Sequence, residues 1–452
     1  MSKAIEREEF LDKHQKIDIE IGVNSVIATC DSRSNSQGPL ARVAVLIKDN
    51  IEAIGLPGSA GSLALIESPA KRDAELVTNL RNAGADIVGS TNLSEWANLR
   101  STKSISGWSA VGGLTRNPWH LSHNVGGSSS GSGAAVGAGI VTLAIGSETD
   151  GSIVCPASLN GVVGLKPTVG SVSTHGVIPI SSTQDTPGPI AANIKWAAKG
   201  FDAISGQNTF ANLESAQAMV SKLRVGVAEN WLTGDSQTDA VFERAIAVAN
   251  KIVAKVSGSN IPELSEQAGE DEYTVLLNEI KDEMAQYLAG RPGNHAVRTL
   301  EDIVNFNLDN AKVEMEFFGQ EHFDHAIKAP GKKSVEYRTA RERGLDWARR
   351  ICFENALEQH DLFIAPTYGP AWISGSSDPD DISGGKVTSP AAVAGYPLLC
   401  LPMGLVNGLP VGLTIAGPAN SESTLLALGL LLEQNLGCRS EDGFKPTFIK
   451  AD

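Results

Sequence analysis

The chain has 452 residues, 42% of them hydrophobic, which is enough apolar material for a sizeable core. Length alone suggests about three domains or one large α/β unit. A formal net charge of −15 argues against a nucleic-acid binder, which normally shows a basic stripe. The five cysteines, Cys30, Cys155, Cys352, Cys400 and Cys438, are scattered, odd in number and form no C-x-x-C pair. That spacing argues against a disulfide framework or a structural zinc site, and a reducing, cytoplasmic setting is the default expectation.

The elements follow in chain order. RVAVLI (Arg42–Ile47) predicts a buried strand ending at Lys48. RDAELVTNLRNAG predicts a helix: Asp73 is placed to cap it, Leu76, Val77 and Leu80 share a face, and Gly84 stops it. ADIVGS predicts a second strand and TNLSEWANL a short capped helix. This alternation indicates α/β architecture.

Next comes GGSSSGSG, Gly126–Gly133, which runs directly into the apolar, small-residue segment Ala134–Ser147. A flexible linker does not normally abut a core segment, so the run needs another explanation. Beyond Ser182, TQDTPGPI reads as turns. LRVGVA (Leu223–Ala228) predicts a strand. AVFERAIAVANKIVAKV predicts a long helix with Phe242, Ile246, Ala249, Val253 and Val256 on one face. Residues 263–350 are helical and charge-rich, broken at GRPGN and APGKK, as in a cap inserted over an α/β core. DLFIAP, LLCLPMGLV and VGLTIAG read as strands, and ESTLLALGLLLEQNLG as a closing helix. The start, MSKAIEREEF, has no apolar leader. No apolar run reaches the ~18 residues of a membrane span.

Several local matches carry little weight. GGSSSGSG lacks the spacing and the lysine of a phosphate loop. Gly127–Gly131 fits the G-x-S-x-G elbow, but within a glycine–serine run that match is nearly automatic. The late histidines, His295, His322, His325 and His360, lie in the charged helical region, away from any such nucleophile. His120/His123 and His322/His325 each form H-x-x-H without the glutamate of a metalloprotease helix, so surface or capping roles outweigh metal ligation.

The longest ordered pattern extends from GGSSSGSG through GSETDGSIVCPASLNGVVGLKPT, Gly126–Thr168. This stretch resembles the amidase signature family. The resemblance continues upstream in VLIKDNIEAIG and downstream in SSTQDTPGPI and SPAAVAGYPLLCLPMG. It implies a single domain over residues 1–452, a central mixed β-sheet flanked by helices, and a signature core at 26–200 with 263–350 as a substrate-side cap. It also implies a Ser–Ser–Lys triad and no cofactor. By position, Ser152 is the nucleophile, Ser128 the bridging serine, held on a cis peptide, and Lys48 the base. The two serines stand 24 positions apart, room for a helix and a return strand. Taken singly, a serine or lysine is far more often non-catalytic; only the joint pattern selects these three.

The residue types suit the chemistry. A serine hydroxyl needs a base to become a nucleophile, and a lysine serves if burial keeps it neutral. Small or turn-forming residues suit an oxyanion site, and the resemblance gives the donors as the backbone N–H groups of Thr149, Asp150, Gly151 and Ser152. The Asp150 carboxylate is placed either to touch the substrate or to brace the loop. Candidate substrate contacts are Ser129, Asp185, Tyr368 and Trp372; core packing explains Trp372 equally well, and Asp185 equally well caps a turn. Phe317 and Phe318 are candidates for the entrance.

In detail the chain is similar to the peptide amidase branch of the family, through SETDGSIVCPAS, THGVIPISSTQDTPGPI, NFNLDNAKVEMEFFGQE, IAPTYGPAW and SPAAVAGYP. The implied substrate is a small-molecule or peptide amide, with ammonia released. The alternatives are a hydrolase of small aliphatic or aryl amides and the glutamine-hydrolysing A subunit of an amidotransferase. The latter typically carries Ser-Ile-Arg where this chain has Ser152-Ile153-Val154. A non-enzymatic scaffold is disfavoured because all three triad residues are present. No nucleic-acid or membrane partner is expected, and the chain is expected to be a monomer or homodimer.

Overall fold

A computed structural model describes residues 3–34, 37–259, 261–293, 296–375, 383–438 and 445–450; His295 lies outside them. Among the described residues eleven strands form one sheet. In chain order they are β1 (Val26–Thr29), β2 (Ala44–Lys48), β3 (Asp86–Thr91), β4 (Leu143–Glu148), β5 (Val163–Lys166) and β6 (Thr186–Ala191). They continue with β7 (Arg224–Val227), β8 (Lys255–Gly258), β9 (Leu362–Pro366), β10 (Leu398–Val406) and β11 (Leu409–Ala416). Their spatial order is β1-β3-β2-β4-β6-β5-β10-β11-β9-β7-β8. Parallel pairs β3/β2, β2/β4, β9/β7 and β7/β8 flank an antiparallel centre, so the sheet is mixed.

Apolar side chains alternate between the two faces. Val45, Ile47, Leu143, Ile145, Leu399 and Leu401 enter one buried cluster. Ala44, Leu46, Ala144, Leu398 and Cys400 enter another. Helices cover both sides, which is why the strands read as continuous apolar runs. Alternation puts the last residue of β2, Lys48, on the Ala44–Leu46 face. The helix α2 (Ser130–Gly137) packs on that face, contributing Ala135 and Val136. No described helix is long and apolar enough to cross a membrane.

The helical middle contains α6 (Glu266–Gly290), α7 (Leu300–Asp309) and α8 (Val335–Leu345), which follow α1 (Glu75–Asn82), α3 (Val154–Asn160), α4 (Ile194–Ser205) and α5 (Ser236–Ile252). Helices α9 (Thr388–Ala394) and α10 (Glu422–Leu436) come after them in the chain. Ile280, Met284, Leu288, Leu300 and Ile303 of the middle region share a core with Ala60, Trp96 and Ile178. The insertion is therefore packed onto the sheet domain rather than hung beside it.

Four local expectations are corrected. Asp73 does not cap α1: the N-cap is Ala74, and Asp73 instead accepts from Ile54 N at 2.8 Å and pairs with Arg81. TNLSEWANL is not an α-helix. Trp96, Ala97 and Asn98 have φ of 48°, 53° and 69°, a left-handed run costing roughly 1–2 kcal/mol per residue. Tertiary bonds hold it, including Trp96 N to Ala60 O at 3.0 Å and the wholly buried Arg100–Glu95 pair at 3.2 Å. TQDTPGPI is not all turn, because its second half is β6, deep in the sheet despite Pro187 and Pro189. Neighbouring β5 pairs only with Ile190 and Ala191, which leaves the proline end unpaired on that side. Val256 leaves the face of α5, which ends at Ile252, and lies in β8.

Candidate active site

Lys48 carries the site's amine into the interior. It is fully buried at the end of β2, and its Nζ lies 2.8 Å from Ser128 Oγ, 3.0 Å from Ser147 Oγ and 3.1 Å from Ser147 O. Asn50 Nδ2 donates to the same Ser147 hydroxyl at 2.9 Å. Burial lowers the Lys48 pKa to about 7, against the opposing pull of Asp185 and Glu148. A group that ordinarily stays charged is thereby poised to exchange a proton near neutrality.

The glycine–serine run is the wall between this amine and the core. The Gly127–Ser128 peptide is cis, and Ser128 O accepts from Ser94 N at 3.1 Å. Ser132 Oγ meets Thr91 Oγ1 at 2.8 Å on β3. A Cβ on Gly131 would stand 2.7 Å from both Asn92 N and Asn92 O, so only glycine lets α2 approach β3 this closely. Small polar residues here satisfy one another in a volume that larger side chains would fill.

Ser129 braces the wall. Its Oγ donates to Ser147 O at 3.0 Å and accepts from Ser147 N at 3.2 Å, while its own N–H donates to Ser152 O at 3.1 Å. With the hydroxyl so engaged, bracing accounts for Ser129 better than substrate contact. Ser129→Ala is expected to lose about 1–3 kcal/mol of stability in denaturant unfolding while keeping kcat within about tenfold of wild type. A fully folded but inactive Ser129→Ala protein would move the nucleophile to the elbow serine.

The β4–α3 loop holds Thr149, Asp150, Gly151 and Ser152. Gly151 has φ 74°, and a Cβ there would meet Tyr368 Oη at 2.8 Å, so the turn requires glycine. Glu148 Oε2 accepts from Ile153 N at 2.7 Å and Val154 N at 3.0 Å, folding the loop back on itself. Among the described residues the N–H groups of Asp150, Gly151 and Ser152 have no internal acceptor. Three adjacent free donors beside a serine make an arrangement suited to an oxyanion. Ser152 is 8% exposed, whereas Ser128 is fully buried.

Three carboxyl groups brace this loop. Asp185 accepts from Thr149 Oγ1 at 2.6 Å, Ile180 N at 2.8 Å and Ser181 N at 2.9 Å. Burial raises its pKa to about 7 in spite of those donors. Asp150 Oδ2 accepts from Ser389 Oγ of α9 at 2.5 Å, so its carboxylate braces the loop. Burial raises Glu148, opposed by Lys166. Lys166 is itself buried, lowered to about 8, and donates to Tyr396 O at 2.8 Å.

A narrow pocket of about 10 Å³ is lined by Ser128, Ser147, Thr149, Asp185, Ala97 and Ile178, among others; Ser152 is not in its lining. Thr174 and Val177 also line a wider groove of about 350 Å³, shared with Arg72, Glu283, Tyr287 and Lys332. Tyr368 is buried beside Gly151 with Trp119, Cys155 and Leu159, and Trp372 packs partly buried against that cluster. Phe318 is buried under Arg100 and Trp108, and Phe317 is exposed. The histidine pairs make local contacts: Ser122 Oγ joins His120 and His123, and Tyr273 Oη joins His322 and His325. Sequence reasoning missed Ser147, Asn50 and Glu148 as parts of the site. Ser147 and Glu148 sit within the GSETDGS motif, but no spacing rule marks them as partners of a lysine about a hundred residues away.

The family model described as Amidase matches residues 26–426. The chain belongs to the amidase family. It is an amide hydrolase, and amidase substrates are small amides or peptides. Its fold is similar to that of the native peptide amidase of Stenotrophomonas maltophilia, with a TM-score of 0.87 and 38% identity covering 97% of this chain and 94% of that one. A putative amidase of Schizosaccharomyces pombe is 34% identical over 92% of this chain and 77% of its own length. The A subunit of the glutamyl-tRNA(Gln) amidotransferase of Symbiobacterium thermophilum is 33% identical over 86% of this chain and 82% of its own length.

Proposed function

We propose that this amidase hydrolyses a primary carboxamide through a Ser–Ser–Lys relay and an acyl-enzyme, and that its substrate is a C-terminal peptide amide. The observation that carries the relay is the buried Lys48 Nζ, 2.8 Å from Ser128 Oγ. Neutral Lys48 takes the Ser128 proton as Ser128 takes that of Ser152. Ser152 Oγ then bonds to the amide carbon. The oxyanion is received by the N–H groups of Asp150, Gly151 and Ser152, with Thr149 alongside; each such donor is worth roughly 3 kcal/mol of barrier. As the C–N bond breaks, Ser128 passes a proton to the leaving nitrogen and recovers one from Lys48, and ammonia departs. Water then cleaves the ester by the same path, releasing the carboxylic acid and regenerating Ser152.

The peptide reading is supported by the likeness to peptide amidase and by the wider groove, whose lining shares Thr174 and Val177 with the inner pocket. The groove's volume of about 350 Å³ lies within the range of small-ligand pockets. Glu283 and Tyr287 of α6 line it, so the helical middle serves as the substrate-side cap. The test is ammonia release from a C-terminally amidated dipeptide, glutamine, benzamide and an aliphatic amide. The dipeptide amide is expected to lead in kcat/KM. A lead by glutamine would favour the amidotransferase reading, and a lead by the small amides a general amidase.

A further inference from the structure

The carboxyl group of Glu272, on α6 of the helical insertion, stands against that of Asp150 in the β4–α3 loop, within reach of a hydrogen bond if one of the two is protonated. Two carboxylates cannot share a hydrogen bond, because neither has a proton to give. One must be a carboxylic acid. Asp150 already accepts from Ser389 Oγ at 2.5 Å, the bond of an ionised acceptor. Glu272 Oε1 accepts from Gln184 Nε2 at 2.8 Å, and Ser389 also stands beside its carboxyl, so the proton belongs on the side that faces Asp150. Asp150 Oδ1 is buried and has no conventional donor, so it is the atom placed to receive that proton.

We propose that Glu272 is a positioning residue: as a carboxylic acid it donates to the Asp150 carboxylate and ties the helical insertion to the loop bearing the oxyanion donors. This rests on the role proposed above for Asp150, Gly151 and Ser152. Asp150 is adjacent to Gly151, so a shift of its side chain turns the N–H groups on either side of it. Burial, followed by the charge of Asp150, pushes the Glu272 pKa well above the usual carboxylate range, and burial also raises Asp150. The other charged or titratable groups facing the pair are Lys166 of β5, Glu148 of β4 and Tyr368 after β9. The residue before it in α6, Asp271, is paired with Arg343 of α8. Lys166 favours the single negative charge on Asp150, and none of the others supplies a second cation. Loss of the Glu272 proton therefore sets two buried anions against each other and opens the link.

The experiment measures kcat and KM against pH for wild type, Glu272→Gln and Glu272→Leu with an amidated dipeptide. In Glu272→Gln the amide oxygen still accepts from Gln184 and the amide N–H donates to Asp150 at every pH. It is expected to keep nearly wild-type kcat at neutral pH and to lose the alkaline fall that wild type shows. Glu272→Leu is expected to lower kcat about 10- to 100-fold, as for a misplaced catalytic group, with KM changed less than about threefold. An alkaline fall unchanged in Glu272→Gln overturns the proposal, as does a rise in KM at constant kcat, which marks a substrate contact instead. Should the leucine variant fail to fold, the glutamine profile decides alone. The acid limb reports on Lys48 in all variants, and a Ser152→Ala control reports on the nucleophile, so failure of the triad is seen separately from failure of the link.

Discussion

Ser152→Ala is expected to lower ammonia release by about ten-thousandfold to a millionfold in kcat, the loss seen when a covalent nucleophile is removed from a relay that acts as a unit. The three candidate serines differ in what they are free to do. Ser128 is fully buried against the lysine, and Ser129 gives its hydroxyl to the Ser147 backbone. Ser152 alone of the three retains exposure, 8%, and it follows two further N–H groups without internal acceptors. Attack and oxyanion binding must occur within about 3 Å of one carbon, and this loop offers both. Among the described residues Ser152 Oγ has no hydrogen-bond partner, so alanine should change stability by no more than about 0.5 kcal/mol. Activity and unfolding are to be measured on the same preparation. Turnover above about 1% of wild type would remove Ser152 from the nucleophile's role.

Lys48→Met comes next in size. A positioned base contributes about a hundredfold to ten-thousandfold, and methionine keeps the bulk without the proton acceptor. Lys48→Arg should be equally inactive, because a guanidinium stays charged throughout the accessible pH range. The pH dependence follows from the direction of the shift. Burial lowers the Lys48 pKa to about 7, and the relay needs the neutral amine. The neutral fraction is therefore small at about pH 6, half near pH 7 and nearly complete by about pH 8. Wild-type kcat is expected to rise across that interval and then level off until the alkaline fall assigned to Glu272. A kcat flat between about pH 6 and 8 would exclude Lys48 as the titrating base.

Much of the framework was legible from local pattern. β2, β9 and β10 are continuous apolar runs because helices cover both faces of the sheet. The period-two alternation places Lys48 on a definite face whatever its tertiary contacts. The order of motifs from Gly126 to Thr168 singles out Ser128 and Ser152. Less was legible where distant residues override local preference. Trp96–Asn98 has the composition of a helix and is held left-handed by Ala60 and the Arg100–Glu95 pair. β6 carries two prolines and is still a strand, because β5 does not need their N–H groups.

The sequence by itself determined which serines and which lysine the candidate site carries, the strand that delivers the lysine, and the glycines that let α2 approach β3 and the Ser152 loop turn. These follow from side-chain type and short-range periodicity, which act over a few residues. Only the tertiary structure decided which of those groups hold protons. The lowered Lys48, the raised Asp185 and the Asp150–Glu272 link each depend on desolvation and on partners far away in the chain. Desolvation sums over everything packed around a group, and no local pattern in the chain encodes that sum.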